Sequence, residues 1–327
     1  MLKLRRGTVT SEDPLEVTLE GSDRPRRAWV DESMLGPCRT GDEVVVNVEA
    51  LDLGLGSGGF DVVHVNLTRG LDAEGSETEH VMKLNYTSLQ HPVGTIERPA
   101  GTERRPAVPV LAIGLHGHLA PAAWAAAEAG AKDIGYIQTG GGALPGPLSR
   151  DVKELLDRGL LAGHVTAGPA YGGAHEAITL VGAIDAAASL GWSGVIAGPG
   201  PGILGSGTAF GHGGMAALDV LHAALSLGAT ALLSPRLSEG DPRPRHRGLS
   251  HHTRAVLDLA LGPVVLPVPD QYLDLIPEGQ DVVPVPVDLD GYGASGLPRR
   301  TMGRDLEEDR PFFAGPLAAG RHLARVA

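Results

Sequence analysis

Residues 234–254 read SPRLSEGDPRPRHRGLSHHTR. Arg236, Arg243, Arg245, Arg247 and Arg254 crowd into this stretch with His246, His251 and His252, against two acids, Glu239 and Asp241. The whole chain carries a formal charge of -12, so the segment is a local reversal of sign. A guanidinium presents a planar fork of N–H donors that matches a carboxylate or phosphate at two points at once. Arg236, Arg243, Arg245 and Arg247 are therefore expected to clamp a small anion. Ser250 can cap a helix that places His251 and His252 in its first turn. The positive end of a helix disfavours a protonated imidazole, which keeps these rings neutral, as a base or a metal ligand must be. His116, in Leu115-His116-Gly117-His118, joins His251 and His252 as a candidate catalytic acid–base group. His116, His118, His212, His251 and His252 are also the candidate metal ligands, since imidazole suits zinc, manganese or iron. No carboxylate stands at a recognisable ligand spacing beside them.

Three glycine-rich stretches supply a second kind of chemistry. They are residues 138–143 (QTGGGA), 166–173 (TAGPAYGG) and 198–208 (GPGPGILGSGT), the last running on to Gly211-His212-Gly213-Gly214. Gly200, Gly202 and Gly205 satisfy G-x-G-x-x-G. Glycine lets a ligand approach the backbone closely, and a helix starting after the loop offers unpaired N–H groups to a phosphate or carboxylate. Gly200, Gly202, Gly205, Gly207 and Thr208 are accordingly expected to line an anion site. A dinucleotide fingerprint would need the next strand to end on an acid that binds the ribose. That strand ends on Ser234-Pro235-Arg236 instead, so no nicotinamide cofactor is assigned.

These groups need a frame to bring them together. From residue 109 onward, short apolar runs alternate with helical stretches. Strands are expected at 110–114, 134–138, 163–167, 194–198, 229–233 and 264–268. Helices are expected at 119–130, 148–159, 174–190, 213–227, 250–261 and 312–326. Residues 282–287 read as an edge strand and 288–296 as a turn-rich loop. Such alternation implies a mostly parallel, Rossmann-like sheet flanked by helices. In that arrangement ligands bind beyond the carboxyl ends of the strands, where all three glycine loops and the arginine segment fall. The first 95 residues differ: short Val-, Leu- and Thr-rich runs punctuated by Gly, Pro and Asp predict a small all-β barrel or sandwich. The expected organisation is an all-β module at 1–95, a linker at 96–108 and the α/β domain at 109–327.

Composition removes several alternatives. Hydrophobic residues make up 42% and charged residues 20%, enough for a real core. The acidic balance argues against nucleic acid or an anionic membrane as partner, because both are polyanions. Cys38 is the single cysteine, so neither an intrachain disulfide nor a cysteine-based zinc site can form. No Gly-Lys pair occurs, which excludes a Walker A loop, and no G-x-S-x-G elbow is present. No window approaches the about 20 apolar residues of a membrane span, and the N-terminus has no signal-peptide core, so a cytoplasmic location is expected.

The segments HVMKLNYTSLQ (80–90), GPGPGILGSGT (198–208) and DPRPRHRGLSHHT (241–253) together resemble a bacterial family of uncharacterised proteins, the domain of unknown function 3866 family. The resemblance covers nearly the whole chain, but it carries no established activity and no catalytic residue. The residues themselves lead to a binding site for a small anionic molecule, phosphorylated or nucleotide-like, with catalysis left open. The alternatives are a metal-dependent hydrolase built on the histidines and a non-catalytic assembly or regulatory protein, alone or as a homo-oligomer.

Overall fold

The computed structural model describes residues 1–55, 58–71, 79–102 and 107–327. Part of the expected 96–108 linker, residues 103–106, lies outside them. The chain divides into two compact units, Met1–Glu79 and His80–Ala327.

The first unit is a closed barrel of β1 (Leu4–Glu12), β2 (Leu15–Leu19), β3 (Pro25–Trp29), β4 (Glu43–Asn47) and β5 (Asp61–Asn66), in the order β1-β2-β3-β5-β4. Pairing of β1 with both β2 and β4 closes the cylinder, which leaves no open sheet edge. Alternation does the sorting: Val44 and Val46 are buried while Val45 between them is not, and Val9, Val17, Val48 and Val63 complete the core. The barrel forecast is thus realised.

The second unit opens with a hairpin of β6 (Val81–Lys83) and β7 (His91–Val93). From the sequence this segment reads as part of the β module. The structure assigns it to the α/β unit, where the buried Lys83 ammonium donates to the carbonyls of Thr166 and Ala170 and to Glu176. The main sheet holds β8 (Val110–Ala112), β9 (Ile134–Thr139), β10 (Gly163–Ala167), β11 (His175–Ala177), β12 (Gly194–Pro199) and β13 (Ala231–Leu233). Among the described residues it has six strands, all parallel, in the order β11-β10-β9-β12-β8-β13.

β9 and β12 are buried at every position, as strands covered on both faces must be. Side-chain alternation splits the core in two. Leu111, Ile113, Ile134, Tyr136 and Ile196 meet helices Leu119–Glu128 and Arg310–Val326. Val110, Ala112, Ile137, Val195 and Ala197 meet helices Leu180–Ala187 and Ala216–Ser226. The α/β expectation holds, with local differences. Residues 175–177, expected in a helix, form β11, and the helix waits for its cap at Thr179. Residues 264–268 continue the main sheet beside β13 only at Val265, whose amide donates to the Ala231 carbonyl and whose carbonyl accepts from the Leu233 amide; Pro267–Pro269 then pairs with Val283–Val285. The turn-rich stretch after Asp288 contains a short helix, Leu289–Ala294, whose cap is the Asp288 carboxylate accepting from the Gly291 amide. Among the described residues, no helix is long and apolar enough to cross a membrane.

The order of strands positions the site. The chain leaves β8 past the place of β12 to reach β9, and later leaves β12 past β8 to reach β13. The connections from the neighbouring strands β8 and β12 therefore run in opposite directions. Such a switch opens a crevice at the carboxyl edge.

Candidate functional site

A cavity of about 630 Å³ occupies that crevice. Its wall combines Leu115, His116 and Gly117 after β8, residues of the Pro201–Thr208 loop and His212 after β12, and Arg236 after β13. Arg243, Arg245, His246, His251 and His252 close one side, and Arg300, Thr301 and Met302 another. Asp151 reaches in beside His116. Volumes of this order suit a metabolite-sized ligand.

The histidines form two groups. Four of them cluster: His212 stacks on His252 with ring centroids 3.6 Å apart and planes 8° apart. His251 lies 4.4 Å from His252 and 4.7 Å from His246. Ser250 organises this corner, because its hydroxyl caps helix His251–Leu259 by accepting from the His252 amide and also bonds His246 Nδ1 at 2.8 Å. Burial pushes these imidazoles down, His252 to about 2 and His246 to about 3, with the neighbouring Arg236 charge adding to both. His212 and His251 shift down from the same leading cause. The rings are therefore neutral at pH 7. Among the described residues neither ring nitrogen of the buried His212 has a partner in hydrogen-bond geometry, although the Ala209 carbonyl lies near enough to favour its imidazolium.

His116 and His118 do not join that cluster. His116 Nδ1 lies 3.2 Å from the Pro199 carbonyl, which can only accept, so Nδ1 carries the proton. Nε2 must then accept from the Ser149 hydroxyl at 2.7 Å, while Ser149 Oγ accepts from the Val152 amide as a helix cap. Both nitrogens of His116 are engaged, which leaves neither for a metal. Burial depresses His116 and raises the Asp151 carboxyl, and attraction between the two opposes both shifts. His118 turns away to Ser234 Oγ at 2.9 Å and packs edge-on against Phe312.

The arginines are not one clamp. The fully buried Asp241 accepts from Arg243 at 2.9 and 2.8 Å, from Arg236 at 3.3 Å and from Arg304 at 3.4 Å. Arg304 also pairs with buried Asp309 at 2.9 Å. Arg236 keeps two further contacts on the cavity wall, His252 Nδ1 at 3.2 Å and the Met302 sulfur at 3.6 Å. Its guanidinium is pushed down to about 10, chiefly by burial. Arg247 is not in the wall; it donates to the Asp241 carbonyl at 3.0 Å. Arg243, Arg245 and Arg300 are the exposed guanidiniums of the wall; Arg243 is bound to Asp241, while neither Arg245 nor Arg300 forms an ion pair among the described residues. Three arginines against two aspartates leave this hub one positive charge in excess, before Arg245 and Arg300 are added.

The glycines divide similarly. Gly202, Gly205, Gly207 and Thr208 line the cavity, and Gly202 and Gly207 hold φ of +69° and +77°. Gly200 is absent from the wall. A Cβ there would stand 2.4 Å from the Ala143 carbonyl, so its small size lets the β12 loop lie against the β9 loop. The amide of Gly213 is taken by the Leu204 carbonyl at 2.8 Å, so the start of the following helix is not an open cradle.

Arg300, Thr301, Met302 and Asp151 are wall residues that sequence reasoning missed, and His246 stood in the arginine segment without a role. The signal at 298–303 was a Pro-Arg-Arg run leading into a turn at Met302, which the structure holds at a left-handed φ of 45°. That is a strained conformation of the kind that gathers at functional sites.

A family model described as "Protein of unknown function (DUF3866)" matches residues 27–320. No curated protein matches the chain, and no solved structure does.

Proposed function

From the premise that this chain belongs to the DUF3866 family of proteins of unknown function, we propose that its α/β unit binds a small anionic ligand, phosphorylated or nucleotide-like, in the cavity at the carboxyl edge of the sheet. The observation that carries the reading is the pair Arg245 and Arg300, two exposed guanidiniums facing one cavity from separate segments without an acid of their own. The N-terminus of helix His251–Leu259 and the excess charge of the Asp241 hub act in the same sense. His116 lines the wall as a neutral ring whose two nitrogens are already hydrogen-bonded within the protein. Ser149 and the Pro199 carbonyl fix its tautomer and orientation.

Pyrophosphate is a suitable probe. A charge-assisted hydrogen bond contributes about 1.5–3 kcal/mol, or roughly tenfold or more in affinity. Calorimetric titration is expected to show pyrophosphate binding that weakens at least about tenfold in each of Arg245→Ala and Arg300→Ala. Both side chains are exposed, so the variants should fold normally. Affinity unchanged in both, or no binding by the wild type at millimolar probe, would overturn the reading.

A further inference from the structure

We infer that His212, His251 and His252 form a binding site for one divalent transition-metal ion, zinc by the chemistry of its donors, inside the same cavity. Each ring offers one nitrogen, and the three lie within 4.8 Å of one another. They come from two elements, the β12 loop and the first turn of helix His251–Leu259, so a shared ion would tie the loop to the helix.

Three observations support the assignment. His212 is buried, and among the described residues neither of its nitrogens is partnered in hydrogen-bond geometry, a costly state for a polar ring unless a ligand relieves it. His251 makes only a long contact, 3.3 Å from Nδ1 to the Arg245 carbonyl, which leaves Nε2 for coordination. The ring centroids of His251 and His252 lie 4.4 Å apart and those of His212 and His251 5.7 Å, so the three rings meet at one corner of the cavity. Calcium and magnesium take oxygen donors and do not fit an all-imidazole set, whereas zinc does. His252 has a competitor, since Arg236 donates to its Nδ1. Metal binding there requires Arg236 to yield or the ring to present Nε2.

The site deepens the anion reading and rests on it for its ligand class. Three neutral donors leave the ion's full charge directed at its open position, on the cavity that Arg245 and Arg300 also face. An anionic oxygen or a water would fill that position.

The test uses tag-free full-length protein, stripped with a chelator and titrated with zinc alone. One equivalent is expected to bind. His212→Ala and His251→Ala should each weaken binding by about 100-fold, more than loss of an outer-shell partner does. His251 is only partly buried, so its variant remains informative if His212→Ala fails to fold. Cobalt in place of zinc should give the visible absorption of a tetrahedral site, lost in both variants. No stoichiometric zinc, or equal affinity in the variants, overturns the inference. Pyrophosphate titrated with and without zinc separates the two claims. Pyrophosphate binding without any zinc binding sinks the metal alone; zinc binding without pyrophosphate binding sinks the anion reading and leaves the metal. If both hold, each ligand should tighten the other by the same factor.

Discussion

Asp241→Ala is expected to destabilise the α/β unit by about 3–5 kcal/mol, the usual result of removing one partner from a buried ionic network. Asp241 is 0% exposed and Arg236 is 3% exposed. Without the carboxylate, Arg236 would keep a buried charge with only His252 and the Met302 sulfur for company. The neighbouring Arg243 serves as control. Its side chain is 44% exposed, and Arg236 and Arg304 would still pair the carboxylate, so Arg243→Ala should cost less, about 1.5–3 kcal/mol, as loss of hydrogen bonds to a charged group does. Urea unfolding of both variants reads the difference. A loss below about 1 kcal/mol for Asp241→Ala would mean that the arginines are held by something else. Burial alone would raise the Asp241 carboxyl, but hydrogen bonds from Arg243 outweigh it and hold the group far below the usual range. This stabilisation is therefore present above the unfolded carboxylate pKa of about 4 and is lost as pH falls below it.

The second large effect belongs to a glycine. A Cβ on Gly213 would stand 1.8 Å from the Gly141 carbonyl oxygen and 2.8 Å from its carbon. Both are backbone atoms, so no side chain can swing aside. Gly213→Ala should cost about 3 kcal/mol by forcing the β9 and β12 loops apart. Gly205 sits on the same loop, has ordinary φ and meets nothing closer than the His212 Cβ at 3.9 Å. Gly205→Ala should stay within about 0.5 kcal/mol of wild type. Thermal melts of the two variants decide it; equal shifts would show that the loops do not interlock through their backbones.

This contrast explains what could and could not be read from the sequence. G-x-G-x-x-G is a pattern of residue types, and it treats Gly200 and Gly205 alike. The structure gives Gly200 to loop packing and leaves Gly205 in the cavity wall. The alternation of apolar runs and helices was legible because the sheet strands other than β11 are buried on both faces and the helices cover them. β11 was missed because its three residues join a helix-like run, and only pairing with β10 makes them a strand. The arginine segment was legible as a charge reversal but not as a hub. Asp241 looked like a minority acid, and its partner Arg304, which also pairs with Asp309, lies 63 residues away in sequence. The grouping of His212 with His251 and His252 was within reach, since all three follow strands at one edge. The separation of His116 and His118 from them depends on Ser149 and Ser234, partners no spacing rule identifies.

The address of the ligand is the claim on which the rest depends. Its most direct test is a crystal structure of the protein soaked with millimolar pyrophosphate. The expected result is the anion in the cavity, with its oxygens on the guanidiniums of Arg245 and Arg300 beside the start of helix His251–Leu259. Pyrophosphate bound elsewhere, with that cavity holding only solvent, would contradict it.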